Sequence, residues 1–71
     1  MAIIVKLDRI LFERQITLTH LCARVGITLA NMSILKTGKA KAIRFSTLSA
    51  ICRELGCQPG ELIIWEEGDD S

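Results

Sequence analysis

Apolar positions along the chain fall into short runs whose period changes at definable points. Ala2–Lys6 is β-branched and brief, which predicts a strand. From Leu7 the spacing turns helical. Leu7, Ile10 and Leu11 stand at i, i+3 and i+4, with Asp8, Arg9, Glu13 and Arg14 on the other side, so a first helix is expected to about Arg14. Gln15 and Ile16 lead to Thr17, a residue type whose hydroxyl caps a following helix. That second helix is expected over Leu18–Val25, with Leu21, Cys22 and Val25 inward, and it ends at Gly26, where a residue tolerant of positive φ is wanted. Thr28 can cap a third helix running to about Thr37 and stopping at Gly38. Phe45, Leu48, Cys52 and Leu55 make a further stripe, which places a fourth helix at Phe45–Leu55 with Gly56 closing it. Gln58–Leu62 reads as a single turn with Pro59 at its start, Ile63–Trp65 as a last strand, and residues 66–71 as a frayed acidic tail.

The third helix carries the most information. At 100° per residue Met32 and Leu35 define its buried side. Ala30, Ser33, Ile34 and Thr37 then point most nearly opposite, Leu29, Asn31 and Lys36 lie on the flanks, and Thr28 sits at the positively polarised N-terminus. Just beyond, Lys36, Lys39, Lys41 and Arg44 supply four of the nine basic residues. An outward helix beside a run of cations fits a nucleic-acid reader. Taken as a solvated loop, the same run would mean little.

Charge sharpens that picture. Residues 1–44 hold eight Lys/Arg against two Asp/Glu, a balance of +6, while residues 45–71 hold Arg53 against six acids, a balance of −5. The overall charge of +1 conceals this sorting. A basic face for a polyanion and an acidic end held away from it are the implied arrangement.

At 71 residues the chain is expected to form one small domain over 1–71, and a domain of this size buries only about 60% of its unfolded surface. The hydrophobic share of 49% exceeds what so small a core hides easily, which points to a dimer. A two-stranded ribbon is marginal alone. Pairing the terminal strands and doubling the sheet across a two-fold axis would bury Ile3, Val5, Ile63 and Trp65 together; alternatively the strands only cover a monomer's core. The run Ala2–Val5 is too short for a signal peptide and no run reaches membrane-spanning length, so a soluble, cytoplasmic protein is expected.

Cys22, Cys52 and Cys57 are odd in number and sit in apolar contexts, as reduced thiols serving as small core hydrophobes do. His20 and Cys22, two apart on a helix, point to different sides, which disfavours a zinc site. Neither a metal, a cofactor nor a small-molecule ligand is expected. One histidine and carboxylates gathered in the tail argue against an enzyme.

Several of these positions agree in register with a known family. Residues 17–56 resemble the Cro and phage-repressor class of helix-turn-helix domains, with Thr17 as cap, Leu21-Cys22 where that class has an apolar residue then Ala, Gly26 at the turn and Ile27 after it. Met32-Ser33 stand where it has Ile-Ser, and Gly38-Lys39 follow the recognition helix. Thr47-Leu48 and Leu55 extend the match through the fourth helix, and Pro59 with Glu61-Leu62 extends it into the closing turn. The resemblance implies a mainly α, lambda-repressor-like bundle of about five short helices, with the helix-turn-helix at about 17–38 and short N- and C-terminal strands added. It also implies that Thr28–Thr37 lies in the major groove of double-stranded DNA.

Departures from the family pattern are local. Leu18 stands where a Gln often helps hold a phosphate, Lys36 where many members carry an acid, and Ile43-Arg44 where the fourth helix usually starts Pro-Ser. The outward face of the third helix has no Arg, Gln or Asn at its centre. Ser33 and Thr37 offer single hydrogen bonds, Ala30 and Ile34 can touch thymine methyls, and Asn31 alone has bidentate capacity toward adenine. Modest direct readout is therefore expected, with DNA shape and backbone contacts contributing. The expected function is transcriptional regulation, as a repressor and a homodimer. Leu29, Ala30 and Ile34 also form a small apolar patch of the kind that marks protein contacts, so a partner-protein module of the same fold, such as an antitoxin, is the alternative.

Overall fold

Five short helices and a two-stranded antiparallel ribbon make up residues 3–67, the part described by the computed structural model. In chain order they are β1 (Ile3–Val5), α1 (Leu7–Arg14), α2 (Leu18–Val25), α3 (Leu29–Lys36), α4 (Phe45–Leu55), α5 (Pro59–Leu62) and β2 (Ile63–Trp65). The helix limits follow the sequence expectations, with α3 ending at Lys36 and Thr37 serving as its C-cap. The first strand is shorter than expected. Lys6 has already left the extended region (φ −100°, ψ 24°), although its N–H still donates to Leu62 O at 2.7 Å; Ala2 lies outside the described residues. Of the acidic tail, Glu66 and Glu67 take no regular structure, and residues 68–71 lie outside the description.

Side chains and left-handed residues set the helix ends. The Thr17 hydroxyl accepts from His20 N–H, and the Thr28 hydroxyl from Asn31 N–H, both at 3.1 Å. At the other ends Gln15, Gly26, Gly38 and Gly56 all have positive φ. In each case the following N–H returns to a carbonyl of the last turn: Ile16 to Leu11, Ile27 to Cys22, Lys39 to Ile34 and Cys57 to Cys52. Gln15 (φ 57°) does this with a side chain that disfavours the conformation.

The core is the meeting place of these amphipathic faces. Leu7, Ile10 and Leu11 of α1, Leu21 and Cys22 of α2, Met32 and Leu35 of α3, Ile51 and Leu55 of α4, and Cys57 and Leu62 form one buried cluster. Each large aliphatic member stabilises the fold by about 1.5–3 kcal/mol relative to exposure. The stripe expected on α4 needs correction. Phe45 is 87% exposed, and Ile51, absent from that stripe, is wholly buried at its centre. Phe45 opens the helix, about a quarter turn off the line through Ile51 and Leu55.

Strand pairing splits the apolar residues of the ribbon. The register is Ile3 opposite Trp65, Ile4 opposite Ile64 and Val5 opposite Ile63. Val5 and Ile63 pack on the helical core of their own chain, while Ile3 (46%) and Trp65 (65%) remain exposed beyond it. Within one chain, then, one pair lies against the core and the other outside it.

Candidate nucleic-acid interface

The geometry starts at the break between α2 and α3. Gly26, Ile27 and Thr28 separate the two helices, which bend by 116° at that point. A three-residue turn containing glycine and a bend in this range are the marks of a helix-turn-helix pair. Gly26 at φ 86° closes α2, Ile27 packs against the core, and the capping Thr28 starts α3. The Cys22 thiol points back at Thr28 O, 3.9 Å away. Leu18 packs half-buried against the core as an apolar first-turn residue.

With Met32 fully buried and Leu35 nearly so, α3 turns its other side to solvent. Leu29, Ala30, Asn31 and Ile34 are exposed, Ser33 is half-buried, and Thr28 stands exposed at the helix entrance. The Thr37 hydroxyl already donates within its own helix end, to Ser33 O at 3.0 Å and Ile34 O at 3.1 Å. It therefore keeps only acceptor capacity for an outside partner.

The segment after α3 is built to display charge. Ala40 and Ile43 pack against the core, while Lys39, Lys41, Ala42 and Arg44 are exposed. The three other left-handed helix ends are followed by Ile16, Ile27 and Cys57, apolar residues turned toward the core. After Gly38 the same position holds Lys39, turned out. Asn31 and Ile34 of α3, Lys41, Arg44 and Thr47 border an open depression of about 560 Å³ between the third helix and the start of the fourth.

Ion pairs sort the cations into two groups. Arg9 pairs with Glu13 at 3.1 Å, Arg24 with Glu54 at 3.0 Å, and Lys36 Nζ with Asp8 Oδ1 at 3.1 Å. Arg14 donates to Leu55 O at 2.9 Å and Gly56 O at 3.4 Å, covering the C-terminal carbonyls of α4. Among the described residues no carboxylate lies within 4 Å of Lys39, Lys41 or Arg44. Arg44 occupies the N-cap position of α4 without a side-chain cap bond. Of the four cations expected to clamp phosphate, three are thus free and contiguous, and Lys36 is held by α1. Sequence reasoning missed that tie, because the partners are 28 positions apart and meet only in the folded chain.

Elsewhere the titratable groups have structural explanations. The hydrogen bond from Arg24, with Arg53 nearby, holds the Glu54 carboxyl below its ordinary range. Burial pushes the Cys22 and Cys57 thiols up, and for Cys57 the neighbouring Cys52 adds to the effect. Among the described residues no three His, Cys, Asp or Glu side chains gather as a metal site requires, and no single helix is long and apolar enough to cross a membrane.

A glycine-turned helix pair, an outward third helix and an unpaired cation run beside it define a helix-turn-helix domain. The chain belongs to the Cro/C1-type helix-turn-helix DNA-binding family, whose model matches residues 6–68. It is also 55% identical over 71 residues, all of this chain and 84% of the relative, to the uncharacterized HTH-type transcriptional regulator YozG of Bacillus subtilis (strain 168). The family and the relative are transcriptional regulators.

Proposed function

We propose that the protein is a sequence-specific transcriptional repressor that binds double-stranded DNA as a homodimer in the cytoplasm. In this reading α3 enters the major groove. Thr28 and Asn31 present polar groups from its first turn, Leu29, Ala30 and Ile34 touch thymine methyls, and Ser33 and Thr37 add single hydrogen bonds. Lys39, Lys41 and Arg44 neutralise phosphates along the groove edge, and Lys36 joins them when it exchanges its Asp8 partner for the polyanion. The observation that carries the reading is a cluster of unpaired cations: Lys39, Lys41 and Arg44 beside α3 have no ion-pair partner within the described residues, while Arg9, Arg24 and Lys36 are paired with carboxylates and Arg14 with carbonyls. Unpaired, adjacent charges gain the most from releasing the counterions of DNA.

As a dimer, the protein would set its two recognition helices about 34 Å apart, to match half-sites one helical turn apart. Its action rests on occupancy of DNA rather than on catalysis. A second reading rests on Leu29 and Ile34, about half exposed on α3, which also suit a protein partner. Pull-down of fragmented genomic DNA with the purified protein at two salt concentrations separates the two. An enriched palindrome that is lost at the higher salt supports the regulator. Absence of DNA with a stoichiometric co-purifying protein supports the partner module.

A further inference from the structure

The ribbon presents an unfinished sheet, and its register together with its flanking charges selects how a second copy completes it. Each three-residue strand is paired on one edge only, among the described residues, so the other edges offer unmatched N–H and C=O groups. Ile3 and Trp65, directly opposite one another, extend this sheet beyond the core as an apolar overhang. We propose that two chains join through their β1 edges, antiparallel about a two-fold axis at Ile4, to give a four-stranded sheet in the order β2, β1, β1 of the partner, β2 of the partner. The proposal rests on the homodimer reading above and supplies its interface.

Pairing centred on Ile4 sets Ile3 opposite the partner's Val5. Because residues directly opposite lie on the same face of a sheet, the cross-strand row becomes Trp65, Ile3, the partner's Val5 and the partner's Ile63. The exposed pair of one chain is thereby continued by the core-packed pair of the other, and symmetry repeats the row in reverse. The helical bodies stay apart because each lies under the Val5–Ile63 end of its own ribbon, and the two-fold points those ends in opposite directions.

The other two edge pairings are excluded on charge and on symmetry. Joining β2 to β2 about Ile64 would run the exposed acids that follow β2, Glu66 and Glu67, alongside the partner's α5, which carries the exposed Glu61, and like charges brought together at a sheet edge are destabilising. Joining β1 of one chain to β2 of the next is head-to-tail and leaves an open edge at each end for further addition. At the β1 edge the flanking charge is Lys6, just past the end of each β1, and the two-fold sends the two copies to opposite ends of the paired strands.

Disulfide trapping with Ile4→Cys tests this directly, because a residue on the two-fold axis meets its own copy at a Cα separation of about 4.5–5.5 Å, within disulfide range. Cys22 and Cys57 are buried but Cys52 is only partly so, and in a Cys52→Ser background Ile4→Cys is expected under mild oxidation to trap as a dimer of twice the 7.9 kDa chain, while Ile64→Cys and the background itself remain monomeric on a non-reducing gel. Trapping by Ile64→Cys and not by Ile4→Cys overturns the arrangement. Sedimentation equilibrium adds a readout that needs no cysteine: Ile3→Ala, altering a 46% exposed side chain set directly opposite the partner's Val5, should weaken dimerisation at least tenfold, and an unchanged dimer also overturns it. A wild type that sediments as a monomer removes the interface and the homodimer together, whereas failure to bind duplex DNA removes the regulatory reading and leaves the interface standing.

Discussion

Lys36 Nζ stands 3.1 Å from Asp8 Oδ1, so the single cation of α3 is tied to the first turn of α1. Asp8 is largely exposed and Lys36 less so, with 74% and 30% of their side chains accessible. An exposed pair of this kind contributes about 0–1 kcal/mol to stability. Its larger effect is on charge, since a carboxylate sits at the edge of the surface proposed to meet phosphate.

Asp8→Asn should therefore tighten binding to every duplex and steepen its salt dependence by about one released counterion, with little change in melting temperature. Fluorescence anisotropy across a salt series checks this. Weaker binding by the variant would mean that Asp8 is needed to position α3.

Arg14 binds the two carbonyls that end α4. Replacing it with Met keeps much of the aliphatic stem and removes the donors. The expected cost is about 1–2 kcal/mol, or a melting temperature lower by roughly 5–10 °C for a chain of this size. Duplex affinity measured well below the transition should be unchanged. A variant that melts with the wild type would deny the cap.

Gln15 ends α1 at φ 57°, where the other left-handed helix ends carry glycine. Gln15→Gly removes the Cβ conflict but loosens the unfolded chain, and the balance should favour the variant by about 0.5 kcal/mol. Urea denaturation measures this. Destabilisation would show that the Gln15 side chain contributes contacts exceeding its backbone strain.

Stability should fall on both sides of neutrality. Glu54 is depressed, first by the hydrogen bond from Arg24. Its stabilisation is present above the ordinary carboxyl range and is lost as pH falls through the lowered folded value. Cys22 and Cys57 are raised above the ordinary 9.0, chiefly by burial. Their stabilisation is complete below that value and is lost as pH rises through the folded values. Urea midpoints from pH 3 to pH 11 should trace this dome, and Arg24→Ala should flatten the acid limb. An acid limb identical in wild type and variant would contradict the assignment to Glu54.

Local signals made most of this fold legible in the sequence. Thr17 and Thr28 are hydroxyl residues just ahead of apolar periodicity, and both cap. Gly26, Gly38 and Gly56 stand where helices close with positive φ. Met32 and Leu35 gave the inward side of α3, and Ala30, Ile34 and Thr37 are exposed opposite it as rotation implies, whereas Ser33, expected among them, is half-buried. What stayed hidden depends on distant parts of the chain meeting. Asp8 with Lys36, Arg24 with Glu54 and Arg14 with Leu55 leave no mark on local spacing. Phe45 misled because apolar spacing identifies a stripe without fixing its width, and Ile51 rather than Phe45 lies where α4 meets the core. The candidate site was legible in outline, since the cation run is contiguous, but which cations were already partnered emerged only with the fold.

In the proposed complex Lys39, Lys41 and Arg44 carry the electrostatic part of duplex binding beside α3. Each phosphate contact contributes about 0.9 to the slope of log affinity against log salt. The triple variant Lys39→Ala/Lys41→Ala/Arg44→Ala, titrated with a duplex recovered by genomic pull-down, should lose affinity at every salt and show a slope shallower by about 2.7. A triple variant with the wild-type slope, or a wild type that binds no duplex at low salt, would contradict the account.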